Sequence, residues 1–123
     1  MKTCLVVDDS GVVRKVVRRI IEDLGFSCDE AEDGAIALEK CQSSMPNVIM
    51  LDWNMPNMTG IDFLKNLRAL DNGNEPKVVF CTTENNMEKI MEGMNAGANE
   101  YIMKPFDKDI IQGKFEQIGL IDV

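Results

Sequence analysis

The stretch Val48-Ile49-Met50-Leu51-Asp52-Trp53-Asn54-Met55-Pro56 decides how this chain is read. Val48 to Leu51 are four successive apolar residues, the length and composition of a strand buried on both faces. Asp52 follows at once, and then a turn that Pro56 and Gly60 keep from resuming regular structure early. A strand that ends in Asp holds the carboxylate at the rim of a sheet, half exposed and fixed in position. Asp52 is therefore a candidate acceptor of a phosphoryl group. Such an acceptor needs a metal site, ligands for the phosphoryl oxygens and a surface that responds to the modification.

Outward from this stretch, strands and helices alternate. Thr3 to Val7 is a short apolar run ended by Asp8-Asp9-Ser10-Gly11. Val12 to Leu24 repeats apolar residues at three- and four-residue steps (Val13, Val16, Val17, Ile20, Ile21, Leu24), which predicts a helix with Ser10 as N-cap and Gly25 as its stop. Phe26 to Ala31 reads as a second strand, and Asp33-Gly34 opens a helix from Ala35 to Cys41 or a little beyond. After Val48 to Leu51 come a helix over Gly60 to Leu70, a polar turn from Asp71 to Pro76, and a strand over Lys77 to Thr82. A helix over Asn85 to Asn95 is broken by Ala96-Gly97-Ala98. A strand over Glu100 to Met103 and a helix capped by Asp107 and running to about Ile118 complete the pattern. Five strand–helix alternations with short connections predict an α/β fold, a doubly wound five-stranded parallel sheet with five helices.

The chain has 123 residues, which suits one domain, with 45% apolar and 28% charged residues. No apolar run reaches the roughly 18 residues of a membrane span, and the amino terminus lacks the pattern of a secretory signal. A cytoplasmic monomer without an attached output domain is expected. The net charge of −8 disfavours nucleic acid and anionic membranes. The basic residues Arg14, Lys15, Arg18 and Arg19 are expected to form a solvated helix face. The four cysteines, Cys4, Cys28, Cys41 and Cys81, form no CxxC pair and are expected to be buried thiols. There is no histidine, which excludes Ser-His-Asp hydrolysis, histidine metal enzymes and histidine-based phosphotransferases.

In an open α/β sheet the ligand site lies beyond the carboxyl ends of the strands. The polar residues expected there are Asp8, Asp9, Asp52, Thr82, Thr83 and Lys104. Crowded carboxylates raise one another's pKa unless a hard cation intervenes. Mg²⁺ suits an all-oxygen set, with Mn²⁺ able to substitute. Asp9 and Asp52 are the best direct ligands, Asp8 acts directly or through water, and the Asn54 backbone carbonyl is within reach as the turn folds back. Lys104 pairs with Asp52 before reaction and with a phosphoryl oxygen after it, and Lys104-Pro105 is a candidate cis peptide. Thr82 offers a hydroxyl to the same group.

These residues resemble the receiver domain of bacterial two-component response regulators. The resemblance rests on Val6-Val7-Asp8-Asp9-Ser10, Leu51-Asp52-Trp53-Asn54-Met55-Pro56-Asn57-Met58, Thr82-Thr83-Glu84, Ala96-Gly97-Ala98 and Tyr101-Ile102-Met103-Lys104-Pro105-Phe106. It implies a flavodoxin-like strand order of 2-1-3-4-5 and an Asp52 phosphorylated by a CheA-like sensor histidine kinase or a histidine phosphotransferase. Catalysis of its own phosphorylation and dephosphorylation would be its only activity. It further implies a switch formed by Thr82 and Tyr101, and an acyl phosphate whose lifetime Asn54 and Glu84 tune. The altered face would be that of the fourth helix, fifth strand and fifth helix, with a flagellar motor switch protein in chemotaxis as the leading output partner. A phosphorelay intermediate or phosphate sink is the alternative. Met87, Ile90, Met91 and Met94 recur at helical spacing. They read either as core or, for Met87, Met91 and Met94 together with Tyr101, as an adaptable docking surface.

Thr59 stands where the family usually has Asp, in a turn role, and Thr83 where a small residue is common. The apolar tail from Ile118 to Val123 is expected to pack back on the domain. Two other classes fit less well. A haloacid-dehalogenase-type phosphatase needs a second Asp two residues after the nucleophile, and that position is Asn54, which cannot serve as general acid. A flavin-binding module would place phosphate against Asp8 and Asp9, which repel it.

Overall fold

A computed structural model describes residues 2–53, 55, 57–83 and 87–122. Its strands are β1 (Thr3–Val7), β2 (Ser27–Ala31), β3 (Val48–Asp52), β4 (Lys77–Thr82) and β5 (Glu100–Met103). Its helices are α1 (Gly11–Asp23), α2 (Gly34–Ser43), α3 (Gly60–Arg68), α4 (Met87–Asn95) and α5 (Lys108–Gln117). All neighbouring strands pair in parallel, in the order β2-β1-β3-β4-β5. The expected fold class and strand order are both observed. The expected start of α4 at Asn85 lies outside the described residues.

The strands divide the core by parity. Cys4, Val6, Val48, Met50, Val79 and Cys81 face one side, where Val17 and Ile21 of α1 and Ile111 and Phe115 of α5 cover them. Leu5, Val7, Ile49, Leu51, Val78 and Phe80 face the other, under Ala37 and Cys41 of α2 and Phe63, Leu64 and Leu67 of α3. This two-residue alternation is the pleat of a strand buried on both faces. Every residue of β3 is buried, which accounts for the unbroken apolar run before Asp52.

Helix entry is set by side-chain caps on orphan backbone N–H groups. Ser10, Asp33, Thr59 and Asp107 accept from Val13, Ile36, Asp62 and Ile110 at 3.3, 2.8, 3.2 and 3.0 Å. Thr59 thus performs the turn role expected of it. Gly25 follows α1 at φ 96°, where a side chain would be strained. The carboxy-terminal segment packs back as expected: Leu120 is buried, Ile118 and Ile121 lie against the core, and Lys2 Nζ donates to the Leu120 carbonyl at 2.7 Å.

The basic cluster on α1 is not uniformly solvated. Arg14 and Arg18 pair with Glu30 of β2 at 3.0 and 2.9 Å, while Lys15 and Arg19 are exposed. The correction arises because β2 lies beside α1, and a helical step of four directs both guanidinium groups to one carboxylate. All four cysteines are free and buried. Among the described residues no helix is long and apolar enough to cross a membrane.

Candidate functional site

The carboxyl ends of β1 and β3 bring Asp8, Asp9 and Asp52 together, with one ligand oxygen from each within 4.8 Å of the others. Asp52 is only 8% exposed and Asp8 4%, whereas Asp9 is exposed. The half-exposed Asp52 expected from its position at a strand end is therefore corrected: β1 and β4 flank β3, and Lys104 lies against the Asp52 carboxylate.

Lys104, just after β5, reaches back across the sheet end. Its Nζ lies 3.1 Å from Asp8 Oδ2 and 3.1 Å from Asp52 Oδ1, so one ammonium bridges two carboxylates. The Lys104-Pro105 peptide is cis, and Lys104 N donates to the Thr82 carbonyl at 2.8 Å. Asp8 is further held by its neighbours. Its Oδ1 accepts from Ser10 N at 2.9 Å and its backbone carbonyl from Arg14 Nη1 at 2.7 Å. The Arg14 contact had no signal in the sequence, because it depends on where Glu30 anchors the guanidinium.

The electrostatics follow from burial and crowding. Burial and the neighbouring Asp8 charge raise the Asp52 pKa above the ordinary carboxylate value, and Lys104 opposes them. Burial disfavours the Lys104 cation, but Asp52 and Asp8 outweigh it and raise its pKa. The site thus holds more negative than positive charge in a largely buried place. Three carboxylates and no nitrogen or sulfur donor among the clustered ligands form a hard oxygen set, which fits Mg²⁺ or Mn²⁺.

Around the cluster, Thr82 is buried and Thr83 exposed at the end of β4. Trp53 packs against Phe80 in a tilted arrangement, with ring centroids 4.9 Å apart and planes 50° from parallel. Gly60 N donates to the Trp53 carbonyl at 3.1 Å, and a Cβ on Gly60 would fall 2.6 Å from the Asp52 carbonyl oxygen. Only glycine lets α3 start this close to the strand end that carries Asp52. Gly93 of α4 makes a similar approach to Phe80 and Trp53, where a Cβ would sit at 3.0 and 3.1 Å. The packing of α4 is therefore coupled to the residue next to Asp52.

Tyr101 on β5 is half-buried, with Lys114 Nζ 5.3 Å from its ring centroid and Lys114 paired to Glu100 at 3.4 Å. The α4 methionines divide. Met87 and Met91 are 64% and 51% exposed, Ile90 is buried, and Met94 packs against the core. The core reading holds for Ile90 and Met94, whereas Met87 and Met91 stand exposed. Asn54 and Glu84, expected as a metal ligand and as lifetime-tuning residues, lie outside the described residues.

A family model for the response regulator receiver domain matches residues 4–116. The chain belongs to this family. As a receiver it is 38% identical over 115 residues to the chemotaxis protein CheY of Pseudomonas aeruginosa, covering 93% of both chains. It is 40% identical over 115 residues to CheY-3 of Vibrio cholerae, covering 93% of this chain and 88% of that one. Among solved structures, Vibrio cholerae CheY4 superposes with a TM-score of 0.91 at 35% identity, covering 96% of this chain and 98% of that one. The receiver domain of a Pseudomonas aeruginosa sensor histidine kinase, solved with a magnesium ion in its active-site cleft, shares the fold at a TM-score of 0.86 and 23% identity, covering 94% of this chain and 95% of that one. Receivers are phosphorylation-dependent signalling modules and not classical enzymes.

Proposed function

We propose that this receiver is a switch in which Asp52 accepts a phosphoryl group from a phosphohistidine of a sensor histidine kinase or histidine phosphotransferase. The observation that carries the reading is the single Lys104 ammonium bridging buried Asp8 and Asp52 beside exposed Asp9. An Asp52 oxygen attacks phosphorus, the phosphorus–nitrogen bond of the donor breaks, and the imidazole leaves with a proton. Asp8, Asp9 and Asp52, with the Asn54 carbonyl, would hold Mg²⁺, or Mn²⁺ in its place, and the bound cation would supply positive charge to the phosphoryl oxygens. Lys104 then transfers its contact from the Asp52 carboxylate to a phosphoryl oxygen, and the Thr82 hydroxyl engages another.

Movement of Thr82 toward the phosphoryl group changes the space available to Tyr101. The face of α4, β5 and α5, with Met87 and Met91 exposed on it, is thereby biased between two packings. The output is binding of a flagellar motor switch protein, and the names of the CheY relatives support the chemotaxis setting of that reading. Asn54 and Glu84 tune the lifetime of the acyl phosphate. A relay or sink role remains the second reading, because the same chemistry at Asp52 serves it.

Incubation with Mg²⁺ and acetyl phosphate or phosphoramidate, followed by intact mass measurement, tests the acceptor. One added phosphoryl group is expected, dependent on the cation and absent from Asp52→Asn. Gain that survives in that variant sinks the assignment.

A further inference from the structure

The four cysteines are not equivalent. Cys41 and Cys81 each lack a second thiol as a register or hydrogen-bond partner, and burial pushes them up to about 11 and about 12. Cys4 of β1 and Cys28 of β2 are different: they are paired directly in the parallel register. Both belong to the same face of the sheet, packed with Val17 and Ile21 of α1. As direct register partners on one face, their side chains project side by side, and Cys28 Sγ lies 3.8 Å from the Arg18 carbonyl.

We propose that Cys4 and Cys28 form a cross-strand dithiol site for a trivalent arsenical, a soft thiophilic centre that takes two sulfur ligands from one protein. The inference is independent of the chemistry at Asp52. Paired residues in parallel strands have Cα atoms about 4.8 Å apart and side chains that run side by side. A disulfide needs Cβ atoms at roughly 3.5–4.5 Å, so direct oxidation requires the strands to close up. A bridging atom between the sulfurs removes that requirement, and soft thiolates select soft centres.

Entry is from Cys28. Its strand is the edge of the sheet, and Cys28 is 8% exposed against 1% for Cys4. The neighbouring Cys4 thiol lowers the Cys28 pKa and favours its thiolate, the form that attacks. With an arsenoxide the step balances without oxidation or reduction. Two S–H bonds and the arsenic–oxygen bonds break, two arsenic–sulfur bonds form, and the oxide leaves as water carrying both protons.

The test uses the folded, reduced chain and phenylarsine oxide at equimolar concentration, read by native intact mass and by alkylation of the remaining thiols. One phenylarsenic group per chain is expected, with two of the four thiols protected. The adduct should vanish in Cys4→Ser and in Cys28→Ser and persist in Cys41→Ser and Cys81→Ser. Fragmentation of the wild-type adduct should localise it to Cys4 and Cys28, a readout that does not depend on any variant folding. Absence of a wild-type adduct, its localisation to Cys41 or Cys81, or its survival in Cys28→Ser overturns the proposal. Phosphoryl gain at Asp52 is measured separately and can fail or succeed without touching this result.

Discussion

The two ends of the sheet handle buried charge in opposite ways. At the carboxyl end, three carboxylates cluster and one lysine bridges two of them, and the Asp52 pKa is raised by burial and by Asp8. Toward the amino ends of β4 and β5, Arg68 is surrounded by neutral acceptors. Its Nη1 donates to the Gly73 and Pro76 carbonyls at 2.8 and 2.9 Å. Its Nε and Nη2 donate to the Gly97 carbonyl at 3.2 and 2.7 Å, and Nη2 also to Asn99 Oδ1 at 3.2 Å. One guanidinium thus ties the end of α3 to the turn before β4 and the loop before β5. The acidic end is incompletely matched and calls for a cation. The arginine end is matched from within and is suited to holding the frame against which the other end changes.

Removing the matched end should have the larger effect on stability. Arg68→Ala leaves several carbonyls without their donor and is expected to cost about 3 kcal/mol, read as a lower urea midpoint. The variant should still accept a phosphoryl group under conditions where it is folded. Loss of acceptance at full folding would mean that the two ends are not separable.

Gly60→Ala acts at the boundary between the frame and the site. The new Cβ meets the Asp52 carbonyl oxygen at 2.6 Å and Phe80 at 2.8 Å, so either α3 or the end of β3 must move. The expected cost is about 2 kcal/mol, accompanied by slower phosphoryl gain at Asp52. A stability loss with an unchanged rate would show that the shift is absorbed by α3.

Asp52→Asn should be stabilising in the absence of divalent cation. The folded-state pKa of Asp52 lies above its unfolded value, so ionised Asp52 works against folding. That penalty is absent below the unfolded value near 4, grows as pH rises through the raised value, and is constant above it. Removing it at neutral pH should raise Tm in calorimetry with chelator present. The gain should shrink as pH falls toward 4, and saturating Mg²⁺ should narrow it by stabilising the wild-type site. A wild-type protein more stable than the variant at neutral pH without cation would contradict the unmet-charge picture.

Much of this contrast was legible before any coordinates. The apolar run at Val48 to Leu51 and the strands Lys77–Thr82 and Glu100–Met103 are patterns of neighbouring residues, and they appear in the fold as read. The caps Ser10 and Asp107 act within three residues of themselves, so local sequence was enough for them. The acidic character of the site was legible for the same reason, since each carboxylate ends or follows a strand. The matched end was not legible. Arg68 meets acceptors up to 31 residues away, and nothing in a polar turn or an Ala-Gly-Ala break announces which side chain will fill it.

The sequence by itself determined which residues form strands and helices, which positions turn inward, and which chemical groups stand at the strand ends, because hydrophobic periodicity and capping are local. Only the tertiary structure decided how buried Asp52 is, that one lysine bridges it to Asp8, that Arg14 and Arg18 converge on Glu30, and that Cys4 faces Cys28. Those relations join residues 12 to 96 positions apart. They depend on strand order and register, which set the distances between groups and hence the desolvation and Coulomb energies that no local pattern encodes.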